Sequence, residues 1–231
     1  MRGRALGAAV LACALAGCGS TASTVPATSA VTTQASQPHT APPPPRRPKP
    51  RPKPRPSPGK LPQTHQLPSA STRAFHQEMA ALWNGVRRDS LRVALPAFFP
   101  EAAYVQVKAI GDPAADWSER LVRDYGLDLS AAHALLGAHP SRARLLRVVV
   151  PSAYIHWVDP GACYNGVGYY EVPNARVVYR QGEEVRSFGI ASMISWRGVW
   201  YVVHLGAIVG PSGVVDDPST GEGSPVPSST C

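Results

Sequence analysis

The alternation of apolar positions is most definite between Val185 and Leu205, where β-branched and aromatic residues surround the dipeptide Arg197-Gly198. A two-residue turn between two such arms is typical of a β-hairpin. With this dipeptide as the loop, the predicted register pairs the two arms residue by residue and ends with Ala191 opposite His204. Both faces of the hairpin are largely apolar. We therefore expect other parts of the chain to cover both of them.

A helical period precedes this region. One predicted helix begins at the hydroxyl residues 69–72 and ends near Arg88. A second predicted helix begins at Pro100. A third begins with Asp116 and Glu119 as a capping box and ends at Gly126. A short helical segment is predicted over 130–136. The first helix has one apolar face, made of Phe75, Met79, Leu82, Trp83 and Val86.

After Pro140 the period changes to that of strands, and Pro173 within one of them predicts a bulge or an edge position. Helices followed by consecutive strands predict an α+β domain, with helices against one face of a curved antiparallel sheet. The predicted strands are Leu145 to Val150, Ala153 to Val158, Val167 to Tyr179, Val185 to Trp196 and Val199 to Val209.

The N-terminus has the build of a secretory signal peptide, with two arginines, a short apolar run and small residues over 1–17. Its end, Leu15-Ala16-Gly17-Cys18, resembles the lipobox of bacterial lipoproteins. This resemblance implies cleavage before Cys18 and lipid attachment to its sulfur, and hence an exported protein anchored on the extracytoplasmic face of a membrane. Two acyl chains hold a protein firmly where one does not. The alternative is an ordinary secreted protein in which Cys18 is incidental.

Residues 18–69 predict a disordered linker, because Ser, Thr and Pro dominate and no core-forming pattern is present. Its proline-rich part predicts a stiff stalk. Seven basic residues fall there, whereas the chain after residue 70 is close to neutral. This arm either binds anionic lipid or an acidic wall polymer, or is only a solvated spacer, and no nucleic-acid partner is expected. The residues implicated in binding are Arg46, Arg47, Lys49, Arg51, Lys53 and Arg55.

The order of elements over residues 70–209 resembles the NTF2-like superfamily, the cone-shaped α+β fold that includes SnoaL-like and ketosteroid-isomerase-like domains. The resemblance rests on the element order, on Phe98-Phe99 after the first helix, and on Trp196-Arg197-Gly198 before the last long strand. Residues 210–231 are then a C-terminal tail. The resemblance implies the fold, but binding modules, interaction domains and enzymes all share that fold.

His204 is the best candidate for chemistry, because the predicted register places it beside small residues that would leave room for a ligand. The alternative for His204 is a hydrogen-bonded core residue. Candidate cavity-lining residues are His204, Met193, Ala191 and Tyr104. No residue is assigned a catalytic role, and no metal site or cofactor is expected, since the common catalytic and metal-binding motifs are missing from the sequence.

The chain has four cysteines. Cys13 would leave with the signal peptide and Cys18 would carry lipid, which leaves Cys163 and Cys231 to form a disulfide in an oxidising compartment. The alternative is two free thiols. Such a bond would fasten the C-terminal tail near the loop that contains Cys163.

Together these features predict a lipid-anchored envelope protein whose domain is a non-catalytic module for an apolar small molecule or a protein partner. One alternative is a small isomerase or dehydratase that uses a histidine or tyrosine of the cone. Another is a structural accessory to cell-wall assembly. A filled cone would favour a protein partner, whereas an open cavity with a polar group would favour a ligand or catalysis.

Overall fold

The computed structural model describes residues 57–209 and 214–216. The predicted signal peptide, the lipid site Cys18, the arm residues up to Arg55, and Cys231 lie outside the described residues. Within the described part, no helix has both the length and the apolar character needed to cross a bilayer.

The first predicted helix is confirmed. It is α1 (Arg73–Arg88), and Thr72 caps it, because its hydroxyl accepts a hydrogen bond of 3.1 Å from the backbone N–H of Phe75. The next helices are α2 (Leu91–Ala94) and α3 (Glu101–Val107), and α3 confirms the helix predicted after Pro100.

The predicted break at Gly126 is wrong. Helix α4 (Pro113–Asp116), a π-helical turn (Trp117–Leu121) and α5 (Val122–Ala134) follow one another without a gap. A helical glycine costs only about 1 kcal/mol relative to alanine, which is less than the burial of a single large side chain contributes. The predicted capping box is also wrong, since the side chain of Asp112 accepts the hydrogen bond that caps α4.

The strands confirm an α+β fold with an antiparallel sheet. The strands are β1 (Arg144–Val149), β2 (His156–Val158), β3 (Tyr169–Gln181), β4 (Glu184–Trp196), β5 (Val199–Leu205), β6 (Ala207–Val209) and β7 (Val214–Asp216). In the five-stranded sheet the order is β1-β3-β4-β5, and β2 pairs with another part of β3. The other two strands, β6 and β7, pair with each other.

Of the two alternatives predicted for Pro173, the structure confirms the edge position and not the bulge. β2 pairs with residues 169–171 of β3, and β1 pairs with residues 176–180. Pro173 falls in the interval between them, where only Ser192 of β4 is its partner. A proline is tolerated there because no ladder partner on the open side requires its missing N–H.

The register of the β4–β5 hairpin is confirmed near its turn, from Trp196 opposite Val199 to Met193 opposite Val202. At His204 the prediction is wrong. One irregularity shifts the ladder there, so that His204 lies opposite Ser192 and not opposite Ala191, and a second one restores the predicted offset at Ile190, which lies opposite Leu205. Each irregularity adds one residue to one strand, and the pattern of apolar residues alone does not reveal such an insertion.

Both faces of the hairpin are covered, as expected. Aromatic side chains pack between the helices and β5, where Phe98 stacks on Tyr125 at 4.5 Å between ring centroids. Phe99 meets Trp196 and Tyr201 edge to face, at 6.2 and 6.0 Å. These side chains are almost completely buried.

A segment that we name the strap, residues 57–66, crosses the turn end of the hairpin. The indole N–H of Trp196 donates to the carbonyl of Pro58 at 3.0 Å. The amide of Gln63 donates to the carbonyl of Ser195 at 3.0 Å and accepts from the N–H of Arg197 at 2.7 Å. The strap therefore belongs to the folded part, although the predicted domain starts only at residue 70.

Candidate functional site

His204 lies at the surface end of β5, beside α5. Its Nδ1 is 3.7 Å from Oδ2 of Asp128, and that carboxylate accepts a hydrogen bond of 2.9 Å from the backbone N–H of Leu205. The side chain of His204 is 28% exposed to solvent, and that of Asp128 is 22% exposed. Asp128 thus holds the irregular end of β5 and also faces an imidazole that water can reach.

Glu78 of α1 is the most perturbed carboxyl of this region. Burial raises the pKa of Glu78 to about 7. Burial, with a contribution from the charge of Glu78, raises the pKa of Tyr201 to about 12. Burial also raises the pKa of Tyr125, with contributions from Asp128 and then Glu78. The charge of Glu78 thus acts on Tyr125 of α5 and on Tyr201 of β5, and the charge of Asp128 also acts on Tyr125.

Glu78 should make the domain less stable as the pH rises. Its carboxyl is neutral in the folded chain up to about pH 7, whereas in the unfolded chain it ionises near pH 4.5. The destabilisation by Glu78 is therefore absent below the pKa of the unfolded chain and complete above pH 7. Because Glu78 is only partly buried, water screens its charge. We therefore expect a gain of only about 1 kcal/mol from Glu78→Gln at pH 8, and none at pH 4.

Urea unfolding at both pH values measures this difference. Glu183→Gln, at an exposed position in the β3–β4 turn, is the matched control and should leave the pH dependence unchanged. A gain of equal size at pH 4 and pH 8 would show that the effect does not come from ionisation of Glu78.

Tyr104 is part of a different cluster. Its hydroxyl donates to Oδ2 of Asp116, and Arg120 forms two hydrogen bonds to the same carboxylate, at 2.7 and 2.6 Å. Burial, and then the hydrogen bond to Asp116, raises the pKa of Tyr104 well above its usual value. The hydrogen bonds to Arg120 hold the pKa of Asp116 below its usual value. This cluster joins α3 to the start of the following helix.

Met193 and Ala191 are completely buried. Neither lines the two cavities described below, and neither shares a hydrogen bond with His204 or Tyr104. Ala191 and Met193 flank Ser192, the partner of His204 in the sheet, whereas Tyr104 lies in α3. None of the four candidate residues lines either of these two cavities.

A third polar cluster lies at the start of β3. Glu171 is buried, and its carboxylate accepts a hydrogen bond of 3.2 Å from the hydroxyl of Ser192 and lies 3.9 Å from Nε2 of His156. Burial, and then the charge of Arg120, lowers the pKa of Lys108, while the charges of Asp116 and then Glu171 oppose this effect. The described residues contain no group of three potential ligands placed to hold a metal ion.

The strap forms one wall of a cavity of about 330 Å³, against β2 and the residues that lead from β2 into β3. His65 of the strap stacks on Trp157 at 4.0 Å between ring centroids, and the edge of Trp157 meets Tyr170 at 5.0 Å. Gly168 allows this arrangement, because a Cβ there would lie 2.5 Å from the indole ring. Sequence reasoning missed this cleft, since the strap carries no apolar pattern.

Cys163 lies in the loop before β3, with a backbone φ of 52°. The ammonium of Lys108 donates to its carbonyl at 2.9 Å. The proposed disulfide to Cys231 stays a prediction, because Cys231 lies outside the described residues.

Comparison with known proteins does not assign the chain to a family. No protein-family model matches the chain, and no curated protein or solved structure matches it.

Proposed function

We propose that this protein is a lipid-anchored, exported bacterial lipoprotein whose domain, an NTF2-like cone, is a non-catalytic binding or interaction module on the extracytoplasmic face. The observation that carries the proposal of a non-catalytic module is the packing of the domain's interior. Around β4 and β5 the space next to the helices is filled by aromatic rings, among them Phe98, Tyr125 and Trp196.

A filled interior leaves the outer surfaces for binding. The cleft of the strap is one such surface, because it combines an aromatic floor at Trp157 with polar groups from Gln63, Thr64 and Asp159. Sites of this composition fix a ligand by contact area and orient it by a few polar groups. The basic arm immediately precedes the strap in the chain, and we propose that it adds attraction to anionic lipid or to an acidic wall polymer.

The enzyme alternative has one observation in its favour. The pKa of Glu78 near 7 is the value that a general acid or base needs at neutral pH, and Asp128 and His204 lie on the elements that adjoin it. Glu78 is thus a better candidate than His204 for proton transfer. An enzyme of this kind would lose turnover on Glu78→Gln, whereas a binding module has no turnover to lose.

The lipid anchor is tested by Cys18→Ala in cells fed a labelled fatty acid. We expect the wild-type chain to be labelled and to sediment with membranes, because the acyl chains carried at Cys18 partition into the bilayer at about 0.8 kcal/mol per CH₂. The Cys18→Ala chain should carry no label and should leave the membrane fraction.

Cys13→Ala is the matched control, since this cysteine precedes the proposed cleavage site and should not affect labelling. Equal labelling of the wild-type and Cys18→Ala chains would contradict the anchor. If Cys18→Ala loses its label but stays on the membrane in low salt and leaves in high salt, the basic arm provides the remaining attraction.

A further inference from the structure

Three arginines surround a cavity of about 410 Å³ at the free edge of the sheet. Arg144 of β1 and Arg180 of β3 line it, together with Arg142 from the turn before β1. Leu146, which is 42% exposed, supplies an apolar wall, and Gly182 of the β3–β4 turn completes the rim.

The register brings two of these charges directly against each other. Arg144 and Arg180 are partners across the antiparallel β1–β3 pair. Like charges at directly opposite positions destabilise a sheet, because the side chains leave the backbone only about 5 Å apart. The arrangement therefore costs stability unless something of negative charge lies between them.

No described residue supplies that negative charge. None of the three arginines forms an ion pair or a side-chain hydrogen bond with another described residue. The acids that follow Arg180 most closely in the sequence are Glu183 and Glu184, and Glu184, the first residue of β4, is paired with Arg186 at 2.5 Å. Glu183 is exposed at the tip of the turn.

The third arginine is held in place by a neighbour. The guanidinium of Arg87, on α1, donates to the carbonyl of Pro140 at 3.3 Å and to that of Ser141 at 2.9 Å. These bonds fix the turn that carries Arg142 against the helix. Arg142 thus lines the cavity from a backbone that is tied to the domain, and not from a free loop.

We propose that this cavity binds a phosphate ester. Guanidinium groups offer planar pairs of donors that match phosphate oxygens, and three of them around one space favour a group with more than one negative charge over a single carboxylate. The cavity is larger than a bare phosphate ion needs, so it also accommodates a carbon substituent against Leu146. The proposal extends the binding role above by naming a ligand class, and it does not depend on the lipid at Cys18.

Titration of the full chain with glycerol 3-phosphate, followed by backbone amide NMR, tests the site. We expect saturable shifts at the amides of Arg144, Arg180 and Gly182. In the double variant Arg144→Ser/Arg180→Ser the affinity should fall at least tenfold. The double variant Arg73→Ser/Arg92→Ser removes the same charge from exposed positions of α1 and α2, and it should bind as the wild type does.

Thermal unfolding separates a binding role from a structural one. In low salt without phosphate, Arg144→Ser/Arg180→Ser should melt no lower than the wild type, because it removes a repulsion. Glycerol 3-phosphate should raise the melting temperature of the wild type and of the control, but not that of the cavity variant.

Vesicles identify the source of the phosphate. If membrane lipid supplies it, phosphatidylcholine vesicles that contain phosphatidic acid should bind the wild type more tightly than the cavity variant. If the ester is soluble, only glycerol 3-phosphate should distinguish the two chains. Either result supports the site. Shifts confined to residues 46–55, or an equal loss of affinity in both double variants, would overturn it.

Discussion

Replacing Trp200 by alanine is expected to destabilise the domain by about 4 kcal/mol, which is typical of removing a fully buried tryptophan. Trp200 has no solvent exposure, and it lies in the same buried cluster as Met193 and Val202. A typical domain has a free energy of unfolding of 5–15 kcal/mol, often ~10 kcal/mol. The expected loss is therefore a large part of the total stability. Urea unfolding should show a lower midpoint with an unchanged slope.

Trp200→Phe is the control for ring volume. The indole N–H of Trp200 is buried and has no hydrogen-bond partner among the described residues. Phenylalanine lacks this unpaired N–H, and the gain from removing it offsets part of the lost packing. We therefore expect Trp200→Phe to destabilise the domain by about 1 kcal/mol. The same change at Trp196 should cost more, because its N–H donates to Pro58 of the strap. If Trp200→Phe is as harmful as Trp200→Ala, the explanation by ring volume is wrong.

Gly189→Ala is expected to cost about 3 kcal/mol, at the upper end of what overpacking usually costs. A Cβ at this position would lie 2.0 Å from the carbonyl oxygen of Gly206 and 2.8 Å from its carbonyl carbon. Both atoms belong to the backbone, and the N–H of Gly206 donates to the carbonyl of Gly189 at 2.9 Å. The two segments therefore cannot separate without losing this hydrogen bond.

Gly126→Ala is the opposite case and serves as its control. Gly126 lies inside α5, and a Cβ there would be 3.7 Å from the nearest side chain, that of Leu91. Alanine should stabilise the domain by about 0.5–1 kcal/mol, because it restricts the unfolded chain and favours the helix. Thermal unfolding of both variants measures the contrast. Equal behaviour of the two glycines would contradict the close backbone approach at Gly189.

The sequence predicted those features that depend on periodic burial. The apolar face of α1 and the hairpin near Arg197-Gly198 follow from side chains that repeat with the period of their own element. The shift at His204 did not follow. It lies beside a contact from outside the hairpin, in which Asp128 of α5 accepts a hydrogen bond from the N–H of Leu205. A contact between residues so distant in sequence leaves no local pattern.

Glu78 was missed although a signal for it exists. It lies three residues after Phe75 and four before Leu82, and so it interrupts the apolar face of α1 with a carboxyl. The strap left no comparable signal. Its contacts use backbone carbonyls and the side chains of Gln63 and His65, and in a sequence these are indistinguishable from those of a solvated linker.

The position of the strap determines how the domain would bear a mechanical load. A pull that arrives through the residues before 57 acts first on the bond from Trp196 to Pro58. It acts next on the bond from Gln106 to Gly59, and then on the bonds at Pro62 and Gln63. These contacts release one after another, in the manner of peeling, and α1 is loaded only after them. Tension on the N-terminal tether would thus uncover the turn of the β4–β5 hairpin before it disturbs the core.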